Sequence, residues 1–91
     1  MDKFTVLLSP QAKKYCRRTN KKTVELLAEC FKYLEENPFY HPGGKIKKLR
    51  GQNLYRFRVG NLRVVYEINE LNREIAVHLI SPRGDVYKKI N

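Results

Sequence analysis

Three arginines, Arg56, Arg58 and Arg63, stand in two alternating runs, Leu54 to Val59 and Leu62 to Ile68, joined by Gly60 and Asn61. A two-residue Gly-Asn link between alternating runs is a hairpin signal, because glycine accepts the positive φ that a type I′ or II′ turn demands. The turn then dictates the register: Val59 opposite Leu62, Arg58 opposite Arg63, Phe57 opposite Val64, Arg56 opposite Val65 and Tyr55 opposite Tyr66. Since successive side chains alternate between faces, the aromatic and aliphatic residues share one side and the three arginines share the other. A guanidinium is a planar fork that grips a phosphate at two points and keeps its charge at any physiological pH. The chemistry on offer is therefore recognition of an oxyanion and stabilisation of charge developing on it. Like charges opposed on a sheet are destabilising, so Arg58 facing Arg63 implies a requirement other than stability. A strand merely kept soluble usually mixes signs, and here the acid Glu67 comes only at the far end.

The remaining charge points the same way. The 91 residues hold 19 Lys plus Arg against 9 Asp plus Glu, a formal net charge of +10, enough to recruit polyanions. Lys13, Lys14, Arg17, Arg18, Lys21 and Lys22 fall in ten residues without an acid, and Lys45, Lys47, Lys48 and Arg50 form a second concentration. On a helix, Lys13 with Arg17 and Lys14 with Arg18 are like-charged i, i+4 pairs that cost a few tenths of a kcal/mol, roughly. Nucleic acid is the leading partner, with an anionic membrane or an acidic protein as alternatives. The length suits one domain over residues 1–91. The apolar run after the first methionine is too short for a signal peptide, and no run approaches a membrane span, so a cytoplasmic protein with no membrane partner is expected. Cys16 and Cys30 lack metal-site spacing and read as buried thiols; no metal, cofactor or Gly-rich phosphate loop is expected.

Several elements must position the arginines. Phe4 to Leu8 reads as a buried strand, ended by Ser9 and Pro10, which suit a helix N-cap followed by proline at the first helical position. A first helix runs from about Pro10 to Thr19 and breaks near Asn20. A second runs from Lys21 or Lys22 to Glu36, with Val24, Leu27, Ala28, Phe31 and Leu34 as its apolar stripe and Asn37-Pro38 as its stop. Residues 38 to 44 form a loop in which His41 is expected to be solvated. Lys45 to Leu49 reads as a short strand with Ile46 inward, and Glu74 to Ile80 as another with Ile75, Val77 and Leu79 in the core. A turn centred on Leu71 and Asn72 places His78 across from Val65, on the arginine face. Ser81 to Asp85 reads as a turn and Val86 to Ile90 as a short final strand. The expected fold is α+β: an N-terminal strand, a helical hairpin, then an antiparallel meander sheet, β-α-α-β-β-β(-β), with helices on one face and the arginine face uncovered.

Lys48-Leu49-Arg50-Gly51, Tyr55-Arg56-Phe57-Arg58-Val59-Gly60-Asn61-Leu62-Arg63-Val64-Val65-Tyr66 and Arg83-Gly84-Asp85-Val86-Tyr87 together resemble the RelE/ParE toxin superfamily of toxin–antitoxin modules, over essentially the whole chain. The resemblance implies a type II toxin, either an endoribonuclease that cleaves translated mRNA in the ribosomal A site or, in ParE-type members, an inhibitor of DNA gyrase. A catalytically inactive basic nucleic-acid-binding member is a third possibility. Carried over residue by residue, the interferase site falls on Arg56, Arg58, Arg63, Arg83 and Tyr87, without a metal or cofactor. The basic residues of the helices and of the 45–50 segment would hold RNA. Many relatives carry a histidine where this chain has Pro82, and often lysines at Arg56 and Arg58. The implied partners are the ribosome, mRNA and an acidic RelB-like antitoxin, with DNA contacted only through that antitoxin.

Overall fold

The computed structural model describes residues 3–49 and 53–82. Strands β3 (Leu54–Val59) and β4 (Leu62–Asn69) form the expected hairpin, in the register that the turn dictates, from Val59 opposite Leu62 to Tyr55 opposite Tyr66. Gly60 alone of the turn pair takes a positive φ, 59°, which selects the type II′ geometry. An edge strand, β2 (Ile46–Lys48), pairs antiparallel with β3 and sets Lys47 beside Arg56. On the other side β4 pairs antiparallel with β5 (Glu74–Pro82). The N-terminal strand β1 (Thr5–Leu8) joins β5 in parallel, so the sheet order is β1-β5-β4-β3-β2 and the sheet is mixed rather than a pure meander.

Helices α1 (Pro10–Arg18) and α2 (Lys21–Glu36) lie between β1 and β2 in sequence. Ser9 caps α1 by accepting from the amide of Ala12, and Asn20 caps α2 by accepting from that of Thr23. Both caps satisfy donors that a helix start leaves free. The buried stripe of α2 is Leu27, Cys30 and Leu34, with Phe31 half-buried; Val24 and Ala28, expected in that stripe, are exposed. These residues and Ala12 of α1 pack on Phe57, Val64, Tyr66 and Ile75, all on the apolar side of the sheet. The helices thus cover one face only. Among the described residues no helix is long and apolar enough to cross a membrane.

Two expectations fail in β5 and have one cause. Tyr66 pairs with Val77 but Val65 pairs with Leu79, so β5 carries one extra residue there and His78 has no opposite number. A bulge of one residue reverses the alternation beyond it. Leu79, expected in the core, is half-buried across from Val65, and Ile80 takes its place inside. His78 is exposed and lies 3.0 Å from Glu67 Oε1 instead of across from Val65. The strand also runs on through Ser81 and Pro82, where a turn was expected. His41 is half-buried rather than solvated. Its ring packs at 4.8 Å from that of Tyr33 and 5.6 Å from that of Phe57, and its Nδ1 accepts from the Gly43 amide. Of the two cysteines, Cys30 is buried and Cys16 only half-buried.

Candidate anion-binding site

Hairpin register brings Arg56, Arg58 and Arg63 to the sheet face away from the helices. The amide of Arg58 donates to Lys45 O of the edge segment at 2.8 Å, so the Arg58 and Arg63 pair is of the non-hydrogen-bonded kind. Opposed Cα atoms then stand only about 4.5 Å apart, which crowds the two cations.

The arginine face is not the open surface that alternation alone suggests. Arg56 is 7% exposed and Arg63 6%, Val65 between them is fully buried, and only Arg58 is half-buried. Arg56 donates from Nη1 to Lys45 O at 3.0 Å. Its Nε, together with Nε and Nη1 of Arg63, is buried with no acceptor among the described residues. Buried donors are almost always paired, because an orphan costs about 1–3 kcal/mol and more when the group is charged. Two buried cations on one sheet face thus hold N–H groups that no described residue uses, donors of the kind an anion's oxygens accept.

Among the described residues no acid pairs with Arg56 or Arg63. Glu67 sits toward the other end of β4 and faces His78. Across from Arg63 lies Ser81, buried, its hydroxyl donating to Pro82 O at 3.3 Å. Sequence reasoning missed Ser81, since only the bulge brings it to this face. Lys47, across from Arg56, extends the cationic surface toward the exposed edge formed with Lys45 and Lys48. Arg50, Arg83, Tyr87 and the Val86 to Ile90 segment lie outside the described residues.

Lys13, Lys14, Arg17, Arg18, Lys21 and Lys22 are all exposed on the helices, across the sheet from the arginines. Arg17 and Arg18 occupy the last turn of α1, where the helix dipole favours cations. Lys21 and Lys22 open α2, whose first turn holds no acid, and there the dipole opposes them.

The described side chains offer no other reactive centre. Burial pushes the Cys30 thiol up to about 12 and raises that of Cys16, so neither supplies a thiolate. Tyr66 is buried, donates to Pro38 O at 2.6 Å, and is held protonated first by burial and then by Cys30, Tyr55 and Tyr33. Among the described residues no three His, Cys, Asp or Glu side chains are grouped to hold a metal ion.

A family model for the ParE toxin of the type II toxin–antitoxin system parDE matches residues 6–87. The chain belongs to that family. The toxin's fold is shared with solved members of the RelE/ParE superfamily. RelE in the archaeal RelE–RelB complex from Pyrococcus horikoshii is 29% identical, with a TM-score of 0.80 over 92% of this chain and 98% of that one. The isolated Escherichia coli RelE toxin is 21% identical, with a TM-score of 0.74 over 96% and 94%. A YoeB/ParE toxin from Agrobacterium tumefaciens is 17% identical, with a TM-score of 0.74 over 88% and 99%. Comparison with curated protein sequences gives no significant match. The expected fold, strand, helical hairpin and then sheet, is that of this toxin superfamily.

Proposed function

We propose that this toxin is a ribosome-dependent, metal-independent endoribonuclease that cuts translated mRNA and blocks translation. The observation that carries the reading is the pair of buried guanidiniums, Arg56 and Arg63, with donors free to meet an anion. Cleavage of RNA without a metal activates a 2′-hydroxyl, stabilises a dianionic phosphorane and protonates the departing 5′-oxygen. Arg56, Arg58 and Arg63 supply preorganised positive charge for the phosphorane, and Arg83 adds to it. Tyr87 takes the 2′-hydroxyl proton, and solvent supplies one to the departing 5′-oxygen. An ordinary phenol, with a pKa near 10, is a weak base at neutral pH, and guanidiniums brought beside it would favour its ionised form. The exposed cations of α1, α2 and β2 hold ribosomal RNA.

A second reading, inhibition of DNA gyrase, is favoured by the family model itself, which is that of ParE. Under either reading the cationic surface calls for an acidic antitoxin, in keeping with relatives solved as RelE–RelB complexes. The test is to induce the toxin alone in cells and map transcript 5′ ends, with Arg63→Ala and Tyr87→Phe as controls. New ends inside translated frames, absent from both controls, are the expected outcome. Growth arrest with intact transcripts would shift the assignment to gyrase.

A further inference from the structure

Strand β5 can be laid against β4 in two registers one residue apart, and only the observed one sets Ser81 beside Arg63. Without the bulge, the pairing of Tyr66 with Val77 would continue as Val65 with His78, Val64 with Leu79 and Arg63 with Ile80. Ile80 would then crowd the Arg63 guanidinium, and Leu79 would enter the core in its place. Exchanging Leu for Ile inside changes the apolar content little. The observed register instead puts the small Ser81 beside Arg63.

The start of α1 grips the bulged segment. The β1 ladder ends at Leu8 opposite Val77, and beyond it four hydrogen bonds join Ser9, the α1 cap, and Gln11 to β5. The Ser9 amide donates to Val77 O at 2.9 Å, and the Ser9 hydroxyl donates to His78 O at 2.9 Å. The Gln11 side chain then donates from Nε2 to Ile80 O at 2.9 Å and accepts at Oε1 from the Ile80 amide at 3.0 Å. One amide side chain thus serves both backbone groups of Ile80, as a neighbouring strand would. Those groups face Gln11 only in the bulged register, because a shift of one residue turns them toward β4.

We infer that Gln11 is a positioning residue of the arginine site, locking β5 in the register that sets Ser81 rather than Ile80 beside Arg63. It touches no reacting atom and acts through β5 on Arg63. The catalytic part of the inference rests on the ribonuclease reading; the register part does not.

The experiment compares the full-length toxin with Gln11→Met, which keeps the side-chain length and removes both hydrogen bonds. Cross-strand amide contacts of Arg63 are read by nuclear Overhauser spectroscopy, and turnover is read on programmed ribosomes. In Gln11→Met the contact from Arg63 should move from Ser81 to Ile80. Turnover should fall roughly a hundredfold with KM little changed, the scale on which small misplacements act. Deleting His78 in the same chain removes the bulge while keeping Leu79 opposite Val65 and Ser81 opposite Arg63, so it should restore both the contact and the turnover. A Gln11→Met chain that keeps the Arg63 to Ser81 contact alone overturns the inference, whatever its activity. Should Gln11→Met not fold, the deletion must restore folding, and a doubly altered chain that stays unfolded also overturns it. A wild-type toxin that shows the register shift on mutation yet cuts no RNA sinks only the ribonuclease reading.

Discussion

Arg63 is a burden to the fold that holds it. Two of its buried N–H groups have no partner among the described residues, and apolar residues of similar volume are often the more stable choice at such a place. Arg63→Met should therefore raise unfolding stability by about 1–3 kcal/mol, the cost of an orphaned buried group, while abolishing growth arrest. Urea unfolding beside a toxicity assay checks this, and a variant less stable than wild type would contradict the orphan assignment. Cys30 gives a second residue-scale outcome. Burial raises its thiol from 9.0 to about 12 in the folded chain. The folded state then holds a proton that the unfolded state releases, so the stability is fully present below pH 9 and is lost as pH climbs toward 12. Burial shifts Tyr66 in the same direction. Cys30→Ala should flatten the alkaline loss of stability between pH 9 and 12, read from urea midpoints along a pH series, relative to its own value at pH 7.

Among the elements, the β3–β4 hairpin shows how far local chemistry reaches. Nothing lies within 4 Å of a Cβ built at Gly60, so what that position demands is the positive φ alone. Gly60→Val should lower stability by about 1–2 kcal/mol, whereas Gly60→Asn, a residue that tolerates this region, should cost less than half as much. Thermal melts of the two variants check the ordering. The hairpin register, the Ser9 cap and the approximate α1 and α2 limits were legible because each rests on neighbours in sequence: Gly60-Asn61, Ser9-Pro10, Asn20; that Asn20 also caps α2 was not read. The bulge at His78 was not, since no glycine marks it and what holds it is Gln11, far away in sequence. The parallel docking of β1 on β5 is another such long-range contact, invisible to alternation. For the site, periodicity gave the face of Arg56, Arg58 and Arg63 correctly. It could not give their burial, which depends on everything packed around them, and the proposed function rests on that burial.

Across the whole molecule, positive charge lies on both sides of one sheet, exposed on the helices and buried among the arginines. The two should respond differently to salt. Each exposed cation that contacts a phosphate adds about 0.7–0.9 to the slope of log affinity against log salt. The double variant Lys14→Gln with Arg18→Gln should thus reduce that slope by about 1.4 for single-stranded RNA. Turnover at saturating RNA should stay unchanged. Fluorescence anisotropy along a salt series measures the first and single-turnover cleavage the second. A slope that does not move would remove α1 from the RNA surface. The separation has a consequence for how such a chain can diversify. Under the proposed function, the residues that would set dwell time on a polyanion hang from a helix, those that would act on it hang from a hairpin, and the sheet keeps them apart. Substitutions can accumulate on the outer helix and retune residence from cell to cell, while the buried arginines go on presenting the same geometry.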